Sequence, residues 1–257
     1  MARKQSGLPD DGVWEVIKTV VYALLIAVVF RTFLFQPFYI PSGSMKSTLL
    51  IGDYLFVSKY SYGVSKHSFP FSLGPFDGRL FGSEPERGDV VVFRHPRQNE
   101  DFIKRLVGLP GDRIEMRNGI LFINGEAAPQ VATDEFIEPI SGQASCSERR
   151  KIDGVLMCVK EAAIETLPGS DGAPDVEHLV LNVRNTGSDN TRVFTVPAGH
   201  YFMVGDNRDN SNDSRAGVGM VPFENLLGKA QIIAISSEGR FYEIWNWRFG
   251  RSLTVVD

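Results

Sequence analysis

The sequence predicts a mostly β protein, an antiparallel β domain with an inserted β-rich subdomain, behind a single N-terminal transmembrane helix. Three observations lead there. Short runs rich in Val, Ile, Phe and Tyr alternate with turn signals, for which 25 Gly and 14 Pro in 257 residues provide ample material. No internal repeat or long amphipathic helix interrupts them. The strongest helical candidate is of another kind, the uncharged apolar stretch Val20 to Phe30 (VVYALLIAVVF).

That stretch suits lipid, with Trp14 and Tyr22 as interface anchors. Its uncharged core, Thr19 to Phe30, is shorter than the roughly 20 residues that span a bilayer. The anchor is therefore assigned to residues 13–35, with Lys18 and Arg31 snorkelling to the interfaces, and residues 1–12 to a cytoplasmic tail. Val29, Phe30, Arg31, Thr32 and Phe33 offer no small-residue cleavage site, which favours an uncleaved anchor over a removable leader. Arg3, Lys4 and Lys18 precede the segment and Arg31 and Lys46 follow it, a slight asymmetry that puts the tail inside.

The strands come next in order. Tyr54 to Val57 follows Gly52-Asp53, and Val90 to Phe93 follows Gly88-Asp89. Between them, Tyr62 to Arg87 is crowded with Gly, Pro, Ser and Phe and reads as a long surface excursion. Asp101 to Val107 is a strand closed by the turn Leu109-Pro110-Gly111-Asp112. Arg113 to Asn124 is a hairpin on Asn118-Gly119, the pair that a type I′ turn requires. Ala127 to about Asn190 is irregular and polar. Strand character resumes at Arg192 to Thr195, His200 to Val204, Gln231 to Ile235 and Phe241 to Trp247. The domain assignment follows: 36–112 and 196–257 form the core, and 113–195 is the inserted subdomain.

A composition of 43% hydrophobic and 23% charged residues is that of an ordinary globular chain large enough to bury a substantial core. With 27 basic against 31 acidic residues, the net charge of -4 gives no field for holding a phosphate backbone, so no nucleic-acid partner is expected. Cys146 and Cys158 are too few for a closed zinc site. They suit one disulfide in an oxidising compartment, or two buried thiols.

Three segments could carry chemistry. In Ile40-Pro41-Ser42-Gly43-Ser44-Met45, Pro41 restricts its neighbours, Gly43 permits close backbone approach, and two hydroxyls sit among apolar side chains, as a nucleophile on a constrained turn would. His67, His95, His178 and His200 are scattered, and nothing in their positions recommends one as a base. Lys104 does stand out. Strand alternation puts it on one face with Phe102 and Leu106, where a poorly solvated amine loses its proton more readily. Finally, Gly205 to Arg215 (GDNRDNSNDSR) is dense in carboxylates, amides and guanidiniums. Calcium is a rival reading, but the EF-hand positions of the central Gly and closing Glu are missing and two arginines would oppose a cation. Arg–carboxylate pairing explains the loop better.

Taken together and in this order, these segments resemble bacterial type I signal peptidases: Pro41 to Met45 with Thr48-Leu49 and Gly52-Asp53, Arg87-Gly88-Asp89, Ile103-Lys104-Arg105 with Gly108 to Asp112, and Gly205 to Arg215. The resemblance covers most of 35–112 and 200–230 together with the anchor, and leaves the insertion largely uncovered. It implies a membrane-anchored serine endopeptidase with a Ser/Lys dyad that removes signal peptides from exported preproteins, cutting after small residues of the Ala-x-Ala type. Ser44 would be the nucleophile and Lys104 the general base, with Ser42 and the Ser44 amide as oxyanion donors and Ser211 orienting the lysine. Phe38, Ile40, Leu49 and Ile103 match substrate-pocket positions, and Arg105, Asp206, Arg208, Asp213 and Arg215 match the ionic scaffold. The implied location is the bacterial cytoplasmic membrane, single-pass, with the catalytic domain on the outer, periplasmic face; no metal or organic cofactor is implied. Two departures stand out. Lys46-Ser47 occupies positions where a hydrophobic residue and proline are common, and Phe102 stands where tyrosine can occur. A self-cleaving Ser/Lys regulator would need a DNA-binding module in place of the anchor, and a silent membrane-tethered binding protein would not need an intact Ser44 and Lys104.

Overall fold

In a computed structural model the described residues are 10–69, 74, 78–140, 145–170, 172–183 and 186–256. The tail assigned to 1–12 lies almost wholly outside them. The chain opens with one helix, Asp10–Phe33, about 36 Å long at 1.5 Å per residue. Its Gly12–Phe33 stretch is long and apolar enough to cross a membrane, and apart from Thr32 near its end it is left almost wholly uncovered by the rest of the protein. The helix stops two residues short of the expected boundary because Phe35 already pairs with Ser58 as the first residue of a strand.

That strand, Phe35–Tyr39, begins an antiparallel eight-stranded sheet. Its order continues through Asp53–Ser58, Leu226–Ser236, Val90–Arg94, Asp101–Gly108, His200–Val204 and Val221–Pro222, and Thr254–Val255 pairs back onto Leu226–Ser236. Both faces of its centre are covered. Val90 and Val92 point into one cluster with Ile40, Met45, Leu49 and Leu55, while Val91 and Phe93 point into another with Leu106, Tyr201 and Met203. This is why the run VVVF is apolar throughout instead of alternating with polar residues. A third cluster joins Phe202 and Val204 to the hairpin Arg113–Arg117 and Ile120–Ile123. Asn118 and Gly119 sit at φ 50° and 80°, the two left-handed residues a type I′ turn demands.

The stretch 127–190 is more regular than its polarity suggests. Val155–Leu167 is a 13-residue strand paired with Gln130–Ala132, Phe136–Pro139, Glu148–Ile152 and Val176–Asn182. Residues on this strand mix burial with exposure, so it lacks the period-2 signal of a sheet with one wet face. Cys158 on this strand is disulfide-bonded to Cys146.

Two other expectations need correcting. In the described parts of 62–87, Tyr62 is buried and donates to Asp89 Oδ2 at 2.8 Å. Val64–Ser65 pairs with Arg79–Leu80, and the Arg79 guanidinium donates to the carbonyls of Tyr62, Gly63, Phe223 and Leu226. This segment is fastened to the core by a half-buried arginine. Phe241 to Trp247 is likewise not a strand. Glu243 N donates to Arg240 O and the Glu243 carboxylate accepts from Arg240 N, which closes the chain into turns. Phe241, Tyr242, Ile244 and Trp245 lie outward, Trp245 at 80% exposure.

The fold depends on the seam between the hairpin and the main sheet. Phe202 is fully buried there, with its ring 5.2 Å from that of Phe194. Phe202→Ala is expected to lower stability by about 3–5 kcal/mol, read as a fall in the urea midpoint of the detergent-solubilised protein.

Candidate active site

Ser44 lies on a loop between the first two strands of the main sheet. The loop is held at its base by Ile40 N donating to Asp53 O and Gly52 N donating to Ile40 O. Met45 and Leu49 anchor it from below in the apolar cluster, and Leu49 N donates to Met45 O at 2.8 Å. The Asp53 carboxylate stays buried by accepting from Leu50 N, Ser236 Oγ, Arg248 and Arg251.

Lys104 reaches this turn from the Asp101–Gly108 strand. Its Nζ lies 2.7 Å from Ser44 Oγ and 2.8 Å from the Ile103 carbonyl oxygen, and 5.4 Å from the centroid of the Phe102 ring. Lys104 is 3% exposed and Ser44 8%. Burial brings the amine down to about 8, against the opposing pull of the Asp213 and Asp206 carboxylates. An amine so placed is partly unprotonated near neutral pH and already within proton-transfer distance of the hydroxyl.

The Gly205–Arg215 loop closes over the same turn. Asn207 N donates to Ser44 O at 3.1 Å, and Asn207 Nδ2 donates to Gly43 O at 2.8 Å. Gly205 is required for this contact, since a Cβ there would stand 2.5 Å from Ser44 O and 2.2 Å from Ser211 Oγ. The loop is stiffened by ion pairs. Asp213 receives Arg215 Nε and Nη2 at 2.9 and 2.8 Å and Gly205 N at 3.0 Å. Asp206 receives Arg105 Nε and Nη2, both at 3.0 Å, and Thr48 Oγ1 at 2.6 Å. Arg208 pairs through both terminal nitrogens with Glu165. Burial alone would raise the carboxyls of Asp206 and Asp213, but Arg105 and Arg215 respectively hold them below the usual range. His178 lies between, its Nε2 3.4 Å from Glu165 and 3.8 Å from Asp206. Burial, reinforced by Arg105, lowers it to about 4, so it is neutral at pH 7.

Beside Ser44 opens a cavity of about 500 Å³, lined by residues 38–44, Val92, residues 100–104, Asn210 and Asn212. Of the residues expected to line substrate pockets, Phe38, Ile40 and Ile103 line this cavity. Leu49 does not: it is fully buried in the cluster beneath the turn, because the helical turn after Met45 points it inward. Ser42 is exposed on the cavity wall. Ser211 makes no hydrogen bond to Lys104 among the described residues; its hydroxyl is buried against Gly205, and the amine is held instead by Ser44 and Ile103.

The family model described as signal peptidase, peptidase S26, matches residues 13–235. The chain belongs to that family. Signal peptidase I of Rickettsia typhi is 41% identical over 225 residues, 84% of this chain and 78% of that protein. The Rickettsia akari signal peptidase I is 41% identical over 227 residues, 86% of this chain and 79% of that protein. A crystal structure of a signal peptidase I from Enterococcus faecalis V583 shares 25% identity, covering 57% of this chain and 97% of that one, with a TM-score of 0.31. As a signal peptidase the chain is a hydrolase, a serine peptidase that removes signal peptides.

Three residues at this signal peptidase site escaped the sequence reading. Asn207 and Asp53 lie inside motifs it singled out, but which side chain would grip the Ser44 turn depends on how two distant segments meet. Glu165 had no signal at all, since it stands apart from the motifs singled out in the sequence and meets Arg208 only when its strand is laid in place.

Burying the Lys104 ammonium carries a penalty that is full below its folded value of about 8 and vanishes above its unfolded value of 10.5. Lys104→Met is therefore expected to be more stable than the parent at pH 7, by about 1–3 kcal/mol. Urea denaturation as a function of pH should show that advantage shrinking as pH rises through that interval.

Proposed function

We propose that the chain is a membrane-anchored signal peptidase that works through a Ser44/Lys104 dyad and cuts exported preproteins after small residues. The observation that carries this reading is the buried Lys104 amine 2.7 Å from Ser44 Oγ at the edge of an open cavity. Neutral Lys104 takes the Ser44 proton as Oγ bonds to the scissile carbonyl carbon. The resulting ammonium returns that proton to the amine leaving group as the C–N bond breaks, giving an acyl-enzyme. Water, deprotonated by the same amine, then hydrolyses the ester. The exposed Ser42 hydroxyl and the Ser44 N–H, which donates to no protein group among the described residues, are the candidates for the oxyanion. Ser211 would act on the amine indirectly, through Gly205 and the loop that holds Ser44.

Substrate fits the backbone around the cavity. Phe35–Tyr39 ends the sheet order, and Asp101–Lys104 pairs only with Val90–Arg94, leaving one edge unpaired among the described residues. An extended peptide can add between these two edges as a strand. Phe38, Ile40 and Ile103 would then leave room for small side chains next to the cut. Leu49 supports this wall from within the core.

The reading extends to location. The exposed apolar helix leads straight into the edge strand, where Phe35, Tyr39, Tyr54, Phe56 and Tyr60 form an aromatic border joined by Phe241. Such a border suits the interface of a bilayer. We place the catalytic part on the outer face of the cytoplasmic membrane, where an anchored enzyme meets an anchored preprotein.

Purified protein in detergent should cleave a preprotein whose signal ends in Ala-x-Ala, and Ser44→Ala and Lys104→Ala should each abolish cleavage. Cleavage by either variant at the parent's rate would refute the dyad. The parent's rate should rise with pH to half its maximum near the amine's value of about 8; a rate flat between pH 6 and 9 would remove Lys104 as base.

A further inference from the structure

The Lys46-Ser47 pair departs from the family's pattern and has no part in the chemistry above, yet both residues are tied to the inserted sheet. Lys46 Nζ donates to Glu138 Oε2 at 2.6 Å, and the other carboxylate oxygen receives Lys160 Nζ at 2.7 Å. These side chains are only 10%, 15% and 3% exposed, respectively. Burial would raise the Glu138 carboxyl, but hydrogen bonds from Lys160 and Lys46 outweigh it and hold the group below its ordinary value. Ser47 has a backbone φ of 96°, a region a non-glycine residue occupies only under constraint. Its hydroxyl donates to the Leu179 carbonyl at 2.7 Å, on the next strand of the same sheet.

The consequence for Ser44 is direct. The Lys46 stem lies over Gly43, and Lys46 N donates to Gly43 O at 3.1 Å. Asn207 holds Gly43 and Ser44 from one side, and Glu138 and Leu179 hold Lys46 and Ser47 from the other. We propose that Glu138 is a positioning residue for Ser44: through Lys46, the inserted sheet clamps the nucleophile's turn, and the Lys46-Ser47 departure and the insertion are two halves of one device. The inference rests on Ser44 being the nucleophile. Glu138 and Lys46 line none of the cavity, so they act through geometry and touch no reacting atom. Removing one member of a buried ion pair leaves the other charge uncompensated, and displacement of a nucleophile by a fraction of an ångström lowers rate more than binding.

The test uses the full chain in detergent, with Glu138→Gln, Lys46→Met and the double variant. Glu148→Gln, on the exposed hairpin, is the control. Preprotein cleavage is followed at a temperature where every variant is folded, alongside amide hydrogen exchange in peptides covering 42–49. Each single variant should lower kcat about tenfold with KM within about twofold of the parent. The double variant should be no worse than the poorer single by more than about twofold. Exchange in 42–49 should quicken in all three, and Glu148→Gln should match the parent. Lys46→Met keeps the stem over Gly43, so it tests the clamp even if Glu138→Gln does not fold. Parental kcat together with unchanged exchange in 42–49, a loss confined to the unfolding midpoint, or single losses that multiply in the double variant would each overturn the proposal. If the parent itself cleaves no preprotein, the substrate reading fails and exchange in 42–49 alone decides the clamp.

Discussion

A lysine amine must sit beside a serine hydroxyl without water to solvate it, and most of the structure around the cavity answers to that constraint. Burial is what brings Lys104 to about 8, and burial is also what destabilises its charged form. Among the described residues the amine has no carboxylate in contact: its hydrogen bonds go to Ser44 and the Ile103 carbonyl, and Asp213 and Asp206 act on it through space. A direct ion pair would have raised its value and kept it charged near neutral pH. The ionic scaffold stands one layer behind it.

That scaffold is notable for its internal balance. Arg105, Arg208 and Arg215 meet Asp206, Glu165 and Asp213 in bidentate pairs, all nearly or wholly removed from solvent. Such pairs contribute little net stability compared with apolar packing, but breaking one leaves a stranded charge, so they tolerate only one arrangement. Here that arrangement sets the height of the Gly205–Arg215 loop over Ser44. Asn207 transmits it through two hydrogen bonds to consecutive carbonyls of the Ser44 turn. The inserted sheet takes part on equal terms, since it provides Glu165 to Arg208 and Glu138 to Lys46.

Much of the main sheet was legible in the chain. Val90 to Phe93 and Asp101 to Val107 are apolar runs bounded by turn residues, and Asn118-Gly119 specifies its own backbone. The insertion was not, because Val155–Leu167 is a long strand with different neighbours along its length, and its burial does not alternate. Phe241 to Trp247 misled for the opposite reason. Its aromatic-rich run looks like a strand, yet Phe241, Tyr242, Ile244 and Trp245 all lie outward and local turns take the backbone.

At the site the division is similar. Sequence alone determined the chemical inventory: a hydroxyl on a Gly-Ser turn, a lysine on an apolar strand face, and a loop of arginines and carboxylates, because those depend on residue type and near neighbours. Tertiary structure decided who meets whom. It paired Arg208 with Glu165 across 43 positions, gave Asn207 the grip on Ser44, and put Leu49 in the core beneath the cavity. It also packed the Ser211 hydroxyl against Gly205. Hydrogen bonds and ion pairs act over about 3 Å, so their partners are set by how strands distant in the chain are laid side by side, which no local pattern records.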